Sequence, residues 1–453
     1  MAKSTLGKRA LVSALLVLLA FAGMAQTTFT LGDLNYQVNN DGVSVTVTGY
    51  VSGQGGELYI PESVRYDGND YAVTAIGDNA FLYGYFTGSL TIPNSVTTIG
   101  DAAFAYCCNL SGDLVIPNSV TSIGASAFQI CFGFDGTLTL GNALTVIGDY
   151  AFNSCDGLRG VVNIPSSVVS VSGNTFGYCN LDGFTVEPGN SVYDSREECN
   201  AIIATATNEL IAGCRNTVIP PTVTSIGEDA FKGCQGLTSI VLPESVVSIG
   251  DGAFSFCYGL TGSLTIPNSV TTIGAGAFFY CNALNGTLTI GKSVAFIGDY
   301  AFRNCSGFTE AVSLAATVPE LGNEPGWGCV VFEGFGTQTL TVPYGCAEAY
   351  QNSPWYDPIG LNGFSLFIEE SDAVTEAGQV PSAVYPNPTQ GVVKIEAEGL
   401  QSISIFNILG EKVFEGAANS PVFEYDFGPH QAGMYLILVE TAQGTATKRV
   451  NVL

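Results

Sequence analysis

Nine cysteines recur in phase along this chain: Cys107, Cys131, Cys155, Cys179, Cys234, Cys257, Cys281, Cys305 and Cys329. Thiols at regular spacing could bridge, ligate a metal or act as nucleophiles, and each use makes its own demand. There are thirteen cysteines in all, so at least one has no partner. Side chains stacked in register point the same way, which suits disulfide geometry poorly. Metal ligation needs clustered ligands and usually histidines, and the one histidine, His430, stands far from the series. The same scarcity rules out a Ser-His-Asp or Cys-His site among the repeats. The series reads as a column of small buried thiols filling a core. No catalytic residue, cofactor or metal is assigned.

A second column is acidic: Asp78, Asp101, Asp149, Glu228, Asp251 and Asp299 each follow an Ile-Gly pair. Two carboxylates suffice for a glycosidase, and a longer row could hold calcium. Ala125 and Ala275 interrupt the row, however, and no HExxH, calcium loop or phosphate loop is present. The row reads as helix caps, with Asp101 capping a short helical turn that carries Ala103 and Phe104. A third column is Thr91, Val115, Thr139, Asn163, Val241, Thr265 and Thr289, with Thr137 and Thr287 two residues before two of them. Hydroxyls on an uncharged sheet can hydrogen-bond a glycan or an extended peptide. The candidate ligand face is therefore Thr91, Thr137, Thr139, Asn163, Thr265, Thr287 and Thr289. Thr also favours strands, so the same rows arise on a merely solvated face. Aromatics such as Tyr83, Tyr85, Tyr106, Phe132, Phe256, Tyr258, Phe279 and Tyr280 gather near the Cys turn and form a second candidate edge.

The element that positions all three columns is a repeat. Nine copies, at steps of 23 or 24 residues in nearly every case, follow the order apolar strand, turn, Ile-Gly, Ala-Phe and Cys, most of them in full. One copy reads Leu90, Ile92, Pro93, Val96, Ile99, Gly100, Ala103, Phe104, Cys107 and Leu110. A fixed period of this length marks a solenoid, whose units bury their apolar faces only by stacking. Leu90 and Ile92 alternate inward, Pro93-Asn94 ends the strand, and Gly100 lets the chain turn. This motif order resembles the BspA-type leucine-rich repeats. The resemblance implies a solenoid of 23–24-residue coils with a parallel sheet and short helical turns, displayed on a bacterial surface.

Around the repeats the composition changes. Lys3, Lys8 and Arg9, an apolar run over 10–21 and Gly23-Met24-Ala25 make residues 1–25 a secretory signal peptide, cut between Ala25 and Gln26. The run is too short to span a membrane, and no direct span is expected. The whole chain carries a net charge of −26 from 40 acidic and 14 basic residues. Such a body repels phosphate backbones and anionic lipids, so nucleic acid is excluded as a partner. Residues 26–56 read as an N-terminal β-hairpin cap around Asn40-Asp41-Gly42. The solenoid spans 57–335, with a hairpin insert at 184–217. If Ala204 pairs with Glu209 there, Cys199 falls opposite Cys214, making that pair a candidate disulfide. Residues 336–368 read as a C-terminal cap and 369–384 as an acidic linker.

From Tyr385 short alternating strands argue for a small β-sandwich over 385–453. Tyr385-Pro386-Asn387-Pro388, Gly410, Gly433 with Tyr435, and Lys448 resemble the type A C-terminal sorting domain of type IX secretion. That resemblance implies the type IX machinery as a partner and export across both membranes to the cell surface or the medium. It also implies removal of the domain by a cut in the linker. The expected function is non-enzymatic adhesion to host matrix protein, mucosal glycan or a neighbouring cell. A structural element of the cell surface without a tight ligand is the alternative.

Overall fold

Each coil is joined to the next along three edges, and the repeat pattern foreshadows one of them well. A computed structural model describes residues 27–51, 55–323, 330–359, 362–369, 382–385, 387, 389, 391–407, 411–418, 420–442 and 444–452. The leader with Ala25 and Gln26, Cys329, most of the linker, Pro386, Pro388 and Gly410 lie outside the described residues. The chain divides into two compact units. One runs to Leu340 and takes in Ser353–Leu366; the other comprises Thr341–Asn352 and the chain from Phe367.

The first edge is the expected strand. Leu114–Val115 pairs in parallel with Leu138–Thr139, Val161–Ile164 with Gly183–Val186, and Leu264–Thr265 with Thr287–Ile290. The second edge lies where the sequence reads as a turn. Thr98–Ile99, Ser122–Ile123 and Val146–Ile147 are two-residue parallel strands continuing from Asn69–Ile76. Beyond the insert the same edge runs through Ser225–Ile226, Ser248–Ile249, Thr272–Ile273, Phe296–Ile297 and Glu320–Leu321. These strands belong to two eight-stranded sheets, larger than any built from the first edge.

The third edge is the Ala-Phe turn. The amide of Phe104 donates to Ala127 O at 2.7 Å, and those of Phe128 and Phe254 do the same to Ala151 and Ala277. Among the described residues, this segment is a 3-10 helix only at Gly173–Phe176. Elsewhere it is a run of tight turns with left-handed residues such as Ala102 and Tyr106, or Ser126 and Ile130.

Between these edges the interior is stacked residue on residue. Phe81, Phe104, Phe128, Phe152 and Phe176 form one column with ring centroids 5.0–5.6 Å apart, and Phe231, Phe254, Phe278, Phe302 and Phe332 a second, at 4.8–5.6 Å. The cysteine column follows it. Cys107, Cys131, Cys155 and Cys179 are buried, and each thiol donates to the carbonyl of the preceding coil's Phe at 3.0–3.1 Å. The Ile-Gly glycine is fixed by coil spacing. A Cβ on Gly124 would stand 2.5 Å from Asp101 N and 2.4 Å from its Oδ1, and Gly148, Gly274 and Gly298 meet the same crowding.

The N-terminal segment forms Thr28–Leu31, Leu34–Val38 and Ser44–Tyr50, antiparallel in turn. The last pairs in parallel with Asn69–Ile76, so the antiparallel strands extend the second edge. The single strand expected over 29–38 is broken at Gly32, whose φ of 58° bends the chain.

The insert enters the same way. Tyr193–Asp194, Ile202–Ala204 and Glu209–Ala212 pair antiparallel, and the last pairs in parallel with Ser225–Ile226. On the turn edge the coils before and after the insert still meet, with Tyr178 N donating to Lys232 O at 2.9 Å. Toward the end of this unit Trp355 is fully buried against Phe332 and Phe364, its indole N–H bound to Pro319 O at 2.8 Å.

In the second unit, Ser382–Tyr385, Val392–Ala397 and Val422–Asp426 form one sheet. Leu400–Asn407, Lys412–Ala417, Gly433–Thr441 and Gly444–Val452 form another. Val393, Ile395, Ile403, Ile405, Ile437 and Val450 fill the core of this sandwich.

Candidate ligand surface

The outward row on the first edge is where alternation puts it, but its members are not equivalent. Thr91, Thr137, Thr139, Asn163 and Thr265 are exposed, while Thr287 and Thr289 are half-buried. Thr137 donates to Asp113 Oδ1 at 2.8 Å, and Thr287 to Glu310 Oε2 at 2.8 Å. Asn163 is tied on both sides, donating to Glu187 Oε1 and accepting from Thr185, each at 3.0 Å. The bonds that Thr137 sends to Asp113, backbone first and hydroxyl second, hold that carboxyl below its ordinary range. Thr91, Thr139, Thr265 and Thr289 make no side-chain hydrogen bond among the described residues. Val115 at 50% and Val241 at 81% exposure, with Tyr59 opposite Thr91, complete the row.

The acidic column does something other than cap helices. Asp101 N donates to Asp78 Oδ1 at 2.9 Å, while Asp101 Oδ1 accepts from Ala125 N at 2.7 Å. Asp251 likewise accepts from Ala275 N at 2.7 Å. The carboxylates of Asp78, Asp101 and Asp251 thus satisfy a backbone donor of the following coil, and for them the helix-cap expectation is corrected. The alanines interrupting the row supply two of the donating amides. Beside this column a groove of about 570 Å³ lies over the second edge, with Gly77, Gly100, Gly124 and Gly148 in its lining beside Thr98, Ser122 and Val146. Sequence reasoning missed this surface, because one inward Ile in a two-residue strand leaves no alternation to detect.

The aromatic edge is real on one side and core on the other. Phe86 and Phe134 are buried, whereas Tyr83, Tyr85, Phe132, Tyr258 and Tyr280 are exposed. The left-handed turn position carries Tyr83 and Tyr106, 4.6 Å apart, and later Phe256 and Tyr280, 5.6 Å apart. Tyr178 reaches over Gly233, where a Cβ would stand 2.2 Å from its ring, to meet Phe256 at 5.8 Å.

Cys199 and Cys214 are free, buried thiols, so the expected bridge is not formed. Ala204 does pair with Glu209, but a bulge between Ile202 and Ile203 shifts the register by one residue beyond that point. Cys214 instead donates to Asp182 O and Asn200 O, each at 3.3 Å. Burial pushes both thiols up in pKa.

In the sandwich, Asn387 joins the start of the domain to its last strand. It donates to Arg449 O at 2.9 Å and accepts from Asn451 N at 2.8 Å. Tyr385 donates to Glu396, and Tyr435 to Gln431 O at 2.9 Å. Gly433 and Lys448 lie on its long C-terminal strands. His430 sits here too, its Nε2 2.7 Å from Tyr425 Oη.

Comparison with known proteins places both parts. A model of the BspA type leucine-rich repeat region, in six copies, matches residues 74–199 and 210–329, more than half of the chain. A model of the secretion system C-terminal sorting domain matches residues 383–452. Among solved structures, the pneumococcal vaccine antigen PcpA is 19% identical and covers 76% of this chain and 99% of its own, with a TM-score of 0.56. A leucine-rich repeat protein from Bacteroides ovatus is 22% identical over 75% of this chain and 90% of its own, with a TM-score of 0.46. A leucine rich cell surface protein from Faecalibacterium prausnitzii is 25% identical over 66% and 96%, with a TM-score of 0.39. No curated protein matches the chain.

Proposed function

The chain belongs to the BspA-type leucine-rich-repeat family and ends in a secretion-system sorting domain, and from that premise we propose that it is an adhesin. The sorting domain exports it by type IX secretion to the cell surface or the medium. There the solenoid binds host matrix protein, mucosal glycan or a neighbouring cell without catalysis. The observation that carries this reading is how the side chains are used. The interior rings, thiols and Asp carboxylates are taken up in coil-to-coil contacts, while Thr91, Thr139, Thr265 and Thr289 are left without side-chain partners. Uncharged hydroxyls beside Tyr59 and Val241 suit hydrogen bonding combined with apolar contact. The acidic background disfavours polyanionic ligands.

The test is binding of the purified chain to matrix proteins, mucins and defined glycans. Thr139→Arg and Thr265→Arg, in variants that keep the wild-type Tm, are expected to weaken saturable binding at least tenfold. Binding untouched by both changes moves the site to the aromatic edge near Tyr178 and Phe256. A folded chain that binds nothing on the panel favours the structural role.

A further inference from the structure

The N-terminal strands and the first coil enclose a cavity of about 460 Å³. That volume lies within the range of small-molecule sites. Its walls are mixed: Tyr50, Leu58, Tyr59 and Phe86 supply apolar surface, and Asp33 and Glu57 bring carboxylates to its lining. Tyr36 also lines it. This residue is 2% exposed, yet its hydroxyl has no hydrogen-bond partner among the described residues. Facing the cavity without a protein partner, this hydroxyl is free to bond a polar atom of a molecule bound there. Burial, reinforced by the nearby Tyr59, pushes this phenol up to about 12, so the O–H stays protonated as a donor.

The electrostatics narrow the ligand. The one cation in the lining, Arg65, is paired with Asp70 at 3.2 Å. Asp33 and Glu57 therefore set the sign, and anionic groups are disfavoured. The cavity offers one donor, carboxylate acceptors and aromatic walls. That combination matches a molecule with several hydroxyls, an oxygen acceptor, apolar C–H faces and no negative charge.

We propose that this cavity binds the neutral pyranose end of a glycan. Tyr36 donates to a sugar oxygen, Glu57 accepts from sugar hydroxyls, and Tyr50, Tyr59 and Phe86 contact the C–H faces. The proposal rests on the adhesive reading and adds to it a defined end-group site at the first coil, adjoining the start of the threonine row at Tyr59.

The full chain is titrated with methyl β-D-galactoside, N-acetyl-D-glucosamine and D-glucose, with D-glucuronate as the charged control, by saturation-transfer NMR and calorimetry. At least one neutral sugar is expected to bind saturably, and glucuronate at least tenfold more weakly. Tyr36→Phe is expected to weaken that sugar about three- to tenfold without lowering Tm, since it removes only an unpartnered hydroxyl. Glu57→Gln is expected to weaken it about tenfold or more, and Val247→Ala, at an exposed position away from the cavity, to leave it unchanged. Saturation by none of the neutral sugars, or wild-type affinity in both Tyr36→Phe and Glu57→Gln, overturns the proposal. Mucin or matrix binding that persists when free sugars fail removes this site and leaves the adhesive reading standing. Absence of every kind of binding overturns both.

Discussion

Gly124→Ala is the sharpest test of how the coils hold together. The added Cβ would lie 2.4–2.5 Å from Asp101 Oδ1, Asp101 N and Gly100 C. Two of those three atoms are backbone, so no side-chain rotation relieves the clash. Reaching ordinary contact at 3.4 Å requires the interface to open by roughly 1 Å. Four hydrogen bonds cross that interface nearby: Gly124 N to Ile99 O, Ala125 N to Asp101 Oδ1, Ala102 N to Ala125 O, and Phe104 N to Ala127 O, all at 2.7–2.8 Å. Lengthened by 1 Å they pass out of bonding range. Their loss would cost about 4 kcal/mol at about 1 kcal/mol each. If the coil instead absorbs the methyl as overpacking, the cost is about 1–3 kcal/mol. Partial opening and partial overpacking share the strain, so a destabilisation of about 2–4 kcal/mol is expected. Gly112→Ala is the control: its φ is +81° and no atom lies within 4 Å, leaving only the left-handed backbone penalty of roughly 1–2 kcal/mol. Urea unfolding measures both, and amide exchange localises the first to the coils over 90–155. A loss below 1 kcal/mol for Gly124→Ala, or equal losses for the two variants, would refute the account.

Three further outcomes are expected. In native protein the buried thiol column should resist iodoacetamide at pH 8, because burial pushes Cys107, Cys179, Cys234 and Cys281 up to about 12. Mass spectrometry after denaturation without reductant should then show Cys199 and Cys214 alkylated; an unreactive pair would restore the bridge. Stability should fall on acidification. Hydrogen bonds from the backbone and hydroxyl of Thr137 lower Asp113, the bond from Arg215 lowers Asp182, and the amide of Ser166 lowers Glu187. A depressed folded pKa stabilises above the unfolded value, near 4, and that stability is lost as pH falls through the folded one. Tm should be level from pH 7 to about 5 and drop below about 4, and a Tm that rises toward pH 3 would contradict this. Finally, Asn387→Ala removes the two side-chain bonds from the domain's start to its last strand and should cost the sandwich about 1–2 kcal/mol by calorimetry; an unchanged transition would show the contact to be dispensable.

What the sequence made legible follows from which contacts are local. The inward Leu, Ile, Phe and Cys positions could be read because each repeats in most copies and must meet its own equivalent. The second edge could not, since two-residue strands such as Ser122–Ile123 exist only through partners 24 residues away. The role of Asp101 was hidden for the same reason: its acceptor atoms face a donor in the next coil, whereas a helix cap is a local device. Non-glycine residues held left-handed, such as Tyr106 and Ile130, carry no sequence signature at all. The Cys199–Cys214 register failed on a single bulge. In the sandwich, the strand Val422–Asp426 is weakly marked in the sequence although Val, Phe, Glu, Tyr and Asp alternate there, because five residues between turns give little signal.

The contact between Tyr178 N and Lys232 O, which skips over the insert, has a consequence for how such a chain can change length. A backbone amide recognises any coil that offers a carbonyl at the right height, whatever its side chains. One unit can therefore be duplicated or deleted by recombination, and the flanking coils close up against each other as before. Each event moves the far end by one strand spacing, about 4.8 Å. The length of the solenoid becomes a quantity that heredity can adjust in single steps, independently of the side chains on its faces.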